Sequence, residues 1–248
     1  MTGPVGRLTA AEGSRGALGT VLAAAGAWLL EPAQPLAEPA LSAPAPPRPV
    51  IAVFGLAHGC GATVVARGLA AELAARDAHG TAAVHCDARA TGIPLATPAA
   101  SRLARQLAEV PGAETRAVGR LCLVGGAERR ALADCARHVA PLVLDAGASS
   151  LGGVPASLSD QVVVVAGPSS QPALASVAAE CLARVGPEPI VVLNRAGRAG
   201  EADGWSTHAG LLLPDSRMGA QLALGGREPR GELGRAVAEL ADWCEGRR

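Results

Sequence analysis

The chain has 248 residues, with 22 Lys+Arg balanced by 22 Asp+Glu, and 49% of its residues are hydrophobic. That length accommodates one large α/β domain or two small ones, and the absence of net charge excludes the basic footprint of a nucleic-acid binder. With three Trp, one Phe and no Tyr, the core must be aliphatic. All 22 cationic residues are arginine, so no lysine is present to take over the role of a missing one. The six cysteines, at 60, 86, 122, 135, 181 and 244, form no CxxC pair and no metal-ligand spacing, which reads as a reducing, cytoplasmic protein rather than a disulfide scaffold or zinc site.

Taken in chain order, residues 1–30 contain an apolar run, "ALGTVLAAAGAWLL" (17–30), preceded by Arg7 and Arg15. The run is short for a bilayer span, so it reads as a helical docking segment, with a peripheral membrane contact or a signal peptide as alternatives. Residues 31–49, "EPAQPLAEPALSAPAPPRP", read as a Pro/Ala-rich linker, semi-rigid and extended. From residue 50 the texture alternates. Apolar runs at 50–55, 81–86, 120–125, 141–146, 161–167, 189–194 and 210–214 read as strands. Segments near 62–77, 98–109, 127–138, 170–185, 216–224 and 231–245 have helical spacing. In the last of these, Leu233, Val237, Leu240 and Cys244 share one face, as a core-packing helix requires. Val/Leu runs without polar alternation are strands covered on both faces. Residues 50–248 are therefore expected to form a doubly wound, mostly parallel sheet flanked by helices, behind an N-terminal extension that is helical or disordered. In such sheets ligands sit beyond the carboxyl ends of the strands.

At the first of those ends stands "GLAHGCGATVV" (55–65). Glycines after a strand and before a helix aim backbone N–H groups at an anion, and the helix start adds partial positive charge. A phosphate loop of the form G-x-x-x-x-G-K-[ST] carries a lysine for the β/γ-phosphates and a hydroxyl for magnesium. Here only Gly61 and Thr63 match; the first glycine is Leu56 and the lysine is Ala62. Taken alone, the stretch fits a strand–helix packing elbow equally well.

The remaining strand ends shift that reading. "VHCDAR", "APLVLDAGAS", "SDQVVVVAGPSSQPALASVAAECLARV", "PIVVLNRAG" and "LLLPDSRMGAQLALGGREP" follow one another in the order and spacing of the MinD/ParA family of P-loop ATPases. The chain resembles that family, including its CpaE/TadZ-type pilus assembly members, over about residues 50–245. The resemblance implies a P-loop NTPase-like fold and an ATP site at Gly59, Cys60, Gly61, Ala62, Thr63, Val64, Asn194 and Pro214, with Asn194 reading adenine. It implies Mg held by Thr63 and Asp145, and Asp87 as a catalytic residue, the remaining acid of a D-x-D pair whose first member is His85. Each has a bland alternative: Thr63 as a helix cap, Asp145 as a strand-end acid beside a helix start, Asp87 as a solvated turn acid, Asn194 as a turn stabiliser.

The family's loop reads K-G-G-x-G-K-[ST], and both of its lysines are alanine here, Ala57 and Ala62. His58 stands where the family has glycine, and Arg67, one turn into the helix, is the nearest replacement cation but points the wrong way. The expectation is a degenerate member: a pseudo-ATPase, not an efficient enzyme, binding ATP and Mg weakly or not at all and positioning or scaffolding an assembly through protein partners. Pilus or secretion assembly is the preferred setting. The family dimerises around nucleotide, an argument that the loss at Ala57 weakens. The rival readings are an active partition-type ATPase whose cation comes from a partner, and a ligase of the dethiobiotin or cobyrinate kind.

Overall fold

Every residue from Val50 to Gly55 is buried, and that strand, β1, occupies the middle of the sheet. The computed structural model describes residues 47–86, 95–148, 154–197 and 203–246; the readings made for residues 1–46 and for Asp87 lie outside them. After β1 come α1 (Ala62–Arg76), β2 (Ala82–His85), α2 (Pro98–Leu107), β3 (Glu114–Val118), β4 (Leu121–Gly125) and α3 (Arg129–Val139). The chain continues through β5 (Leu142–Gly147), α4 (Val154–Leu158), β6 (Gln161–Ala166), α5 (Pro172–Ala183), β7 (Ile190–Ala196), β8 (Leu211–Pro214), α6 (Arg217–Leu224) and α7 (Gly231–Cys244). The eight strands lie in the order β3-β4-β2-β5-β1-β6-β7-β8, all neighbours parallel except the β3–β4 pair. This is the expected doubly wound α/β sheet.

The period of two along β1 divides the core. Ile51 and Val53 face α1 and α7, whereas Val50, Ala52 and Phe54 face α2, α3 and α5. Leu233, Val237, Leu240 and Cys244 of α7 are all buried, as their spacing predicts. α1 is the central helix. It has no polar stripe because it is covered almost all round, from Ala62 to Ala74. Small side chains make that close approach possible: a Cβ on Gly68 would meet Pro229 Cγ at 3.3 Å and Ala223 Cβ at 3.6 Å.

Two elements differ from expectation. β3 is an antiparallel edge strand, joined to β4 through the two-residue turn Gly119–Arg120, with Gly119 at φ 55. Its sequence ETRAV alternates exposed and part-buried positions and carries two charges, so it has no apolar run to announce it. Backbone pairing with β4 and burial of Val118 hold it instead. The short helix α4 is likewise invisible in the pattern, at five residues.

The amino-terminal edge of the sheet is tied down by ion pairs. Arg48 Nη1 lies 3.0 Å from Asp77 Oδ1, and Asp160 Oδ2 accepts from both Val50 N (2.8 Å) and Arg137 Nη1 (2.9 Å). Arg76, at the end of α1, bonds Glu72, Asp242, Glu245 and Ala238 O, fastening α1 to α7. Burial works to lower its pKa, but the bonds to Glu245, Asp242 and Glu72 outweigh this and hold it above the ordinary arginine range.

Candidate functional site

α1 leaves β1 on one face of the sheet, and α4, after β5, lies on the other. Because β1 and β5 are neighbours, their connections part at the carboxyl edge, the position where such sheets usually take ligands. The glycine loop sits at this edge. Gly59 and Gly61 have φ 77 and φ 90, left-handed values that glycine adopts without a Cβ clash. Val64 N and Val65 N both donate to Gly61 O, so the amides of Ala62 and Thr63 precede the first intrahelical donors. That turn presents N–H groups and the positive end of a fifteen-residue helix, an anion cradle in backbone geometry.

The loop is packed in place. Cys60 is buried, and a Cβ on Gly55 would lie 2.9 Å from its Sγ and 3.2 Å from Ala62 Cβ. A Cβ on Gly167, just beyond β6, would meet Cys60 Cα at 3.3 Å. Leu56 N donates to Val165 O at 2.8 Å. Ala62, where the loop cation would be, is buried; Ala57 and His58 are exposed.

The end of β7 closes over the loop from above. Asn194 is buried and its amide donates to Cys60 O at 2.9 Å. A Cβ on Gly61 would fall 2.2 Å from Asn194 Nδ2, so glycine is required there for space as well as for φ. The next residue, Arg195, has φ 57, the one positive φ at a non-glycine among the described residues, and its guanidinium donates to Gly59 O. Sequence reasoning weighed Arg67 as the replacement cation and passed over Arg195, although "LNRAG" placed it beside Asn194. Arg67 is fully buried, with Nη1 on Leu224 O at 3.2 Å and Nε without a partner among the described residues. It faces the C-terminal end of α6, whose partial negative charge suits a cation.

Asp145 is buried at the end of β5, paired in register with Val53, and its Oδ1 accepts from Gly147 N at 3.2 Å. Thr63 is half-buried in the first turn of α1. A hydroxyl and a carboxylate are the oxygen donors that magnesium takes beside phosphate, so these two residues fit that ion. Among the described residues no cluster of three or more His, Cys, Asp or Glu forms a self-sufficient metal site. Val64 follows Thr63 in α1. Pro214, at the end of β8, is in register with Ala196 just beyond Arg195, so it borders the same edge. The fold therefore brings the glycine loop, Thr63, Asp145, Asn194 and Pro214 to one edge of the sheet. Among the described residues no helix is long and apolar enough to cross a membrane.

No family model and no curated protein matches the sequence. Solved structures match the fold. A ParA family ATPase from Chlorobium tepidum TLS aligns over 79% of this chain and 98% of its own, with 14% identity and a TM-score of 0.54. MinD in the MinC:MinD cell division complex of Aquifex aeolicus aligns over 80% and 96%, at 14% identity and TM-score 0.53. MinD complexed with Mg-ADP from Pyrococcus horikoshii OT3 aligns over 79% and 95%, at 14% identity and TM-score 0.51. At these identities the likeness is one of architecture: the described domain has the P-loop NTPase fold of the ParA and MinD ATPases.

Proposed function

We propose that this protein is a degenerate phosphate-loop protein that positions or scaffolds a cellular assembly of the pilus, secretion or partition type, and that it binds nucleotide weakly and does not hydrolyse it efficiently. One observation carries the reading: a backbone cradle, Gly59–Thr63, with alanine at both cation positions, Ala62 within it and Ala57 just before it. A hydrogen bond to a charged group contributes about 1.5–3 kcal/mol, so each absent lysine weakens phosphate binding by roughly 10- to 150-fold. A cation acting on a transferring phosphoryl group is worth about 10³–10⁵ in rate, which backbone amides do not replace. Asn194 and Arg195 brace the loop's carbonyls, a use of β7 that keeps the cradle shaped without nucleotide.

Work through protein contacts agrees with α5. Leu174, Val177 and Cys181 lie exposed along it at spacings of three and four, and Val185 is exposed just past its end, an apolar stripe facing solvent. The MinD neighbour from Aquifex aeolicus was solved with its partner MinC, so a protein partner is a use this fold supports.

The test is calorimetry with Mg-ATP. The expected affinity is weaker than tens of micromolar, with negligible turnover, and the Ala62→Lys variant should bind about 10- to 150-fold tighter. Tighter wild-type binding, or turnover abolished by Asp145→Ala, overturns the reading. The second reading, an active ATPase completed by a partner's cation, is favoured by retention of Thr63 and Asp145 at one sheet edge. Turnover that appears only with the partner present would establish it.

A further inference from the structure

At the opposite, amino-terminal edge of the sheet a cavity of about 830 Å³ opens between the α1–β2 turn, the start of α2, the β3–β4 turn and the end of α3. Its walls carry His79, Arg102, Arg120 and His138, one from each of these four segments, and no carboxylate. The chain as a whole has as many acids as bases, so a lining with two arginines and two histidines and no acid departs locally from that balance, Glu228 pairing Arg120 from outside it. Arg120 is held in place. Its Nε pairs with Glu228 Oε1 at 2.8 Å, and its carbonyl accepts from Thr81 Oγ1 at 2.8 Å. A Cβ on Gly80 would lie 3.6 Å from Arg120 Nη1, which places that end of the guanidinium against the cavity wall. Arg102 and His138 are exposed and form no ion pair among the described residues, and His79 is exposed on the facing turn.

The direction of α2 contributes. Thr97, which caps it, donates its N–H to Gly119 O in the β3–β4 turn, so this helix begins at the amino edge of the sheet. The positive end of a ten-residue helix therefore faces the same cavity as the two guanidinium groups. The volume falls within the range of small-molecule sites, about 300–1,000 Å³, and exceeds what a single phosphate fills.

We propose that this cavity is a second anion site, distinct from the glycine loop, that takes a small molecule carrying two or more phosphate groups, with Arg102 and His138 on one side and His79 and Arg120 on the other. The site stands on its own geometry and does not depend on nucleotide binding at the loop. Histidine-ring NMR of the full chain, titrated with tripolyphosphate, tests it, because the five histidines are well distributed. His79 and His138 report on the cavity, His58 on the glycine loop, and His208 on neither. The expected result is a saturable displacement of the His79 and His138 resonances with one shared constant. Arg102→Glu, a change at an exposed position, should weaken that constant by about tenfold or more, the low end for a lost charge-assisted hydrogen bond. Arg120→Gln should act in the same direction while the His58 response stays unchanged. Displacement of His58 alone, a non-saturating drift of His79 and His138, or an identical constant in Arg102→Glu would overturn the proposal.

Discussion

The two edges of the sheet are built on opposite plans. At the carboxyl edge the glycine loop carries alanine at positions 57 and 62, and its carbonyls are gripped by Asn194 and Arg195. At the amino edge two arginines and two histidines line an open cavity. Both edges depend on glycines with positive φ, but the obstacles differ. A Cβ on Gly61 meets a side-chain amide, whereas a Cβ on Gly119 meets the backbone carbonyls of Gly226 (2.4 Å) and Gly225 (2.6 Å). A side chain can rotate away, while a carbonyl in a packed turn moves only with its segment. Rigidity here is set by what stands opposite the glycine, more than by the glycine itself.

That contrast predicts an order of effects. Gly119→Val should be the most damaging, at about 4 kcal/mol or more, because strain at positive φ adds to a backbone clash; thermal unfolding measures it, and a smaller loss than Gly61→Val would break the comparison. Gly61→Ala should cost about 2–3 kcal/mol by the same strain term, with part of the loss recovered in the Gly61→Ala, Asn194→Ala double variant. No recovery in that double-variant cycle would show that the Asn194 contact is incidental.

Asn194→Ala alone should cost about 1–2 kcal/mol through the lost bond to Cys60 O. Hydrogen exchange of the loop amides should quicken while the amino edge stays unchanged. Arg67 sharpens the same point from inside. Replacing a buried guanidinium that has no carboxylate partner by Met should be neutral or stabilising, within about 1 kcal/mol, whereas Arg67→Ala opens a cavity and should cost about 2–4 kcal/mol. Equal losses in the two variants would mean that the charge, rather than the volume, is what matters there.

The last effect is confined to alkaline pH. Burial pushes the Cys122 and Cys244 thiols up to about 12 from an ordinary 9.0, Glu245 adding to the shift at Cys244. The folded chain therefore holds these protons more tightly than the unfolded one. Their contribution is complete below pH 9 and is lost as pH rises from 9 towards 12. Denaturation midpoints should fall across that window, and Cys122→Ala should flatten the decline.

Strands β1, β5, β6 and β7 were legible because they are buried on both faces and so are written as unbroken aliphatic runs. β3 was not, since an edge strand needs only backbone pairing on one side and one buried residue at its end. In the site, the glycine loop, Asp145 and Asn194 stood out as polar or small residues ending apolar runs. Arg195 did not, because its role depends on a left-handed backbone at the end of β7 that no local pattern requires.

The sequence by itself determined the alternation of strands and helices, the place of the anion cradle and the absence of lysine from it. These follow from local periodicity and residue identity, which are complete in one dimension. Tertiary structure alone decided that Asn194 and Arg195 grip the loop, that Arg67 is spent on α6, and that residues 79, 102, 120 and 138 share one cavity. Those relations join positions far apart in the chain, and only the packing of the sheet and its helices sets the distances between them.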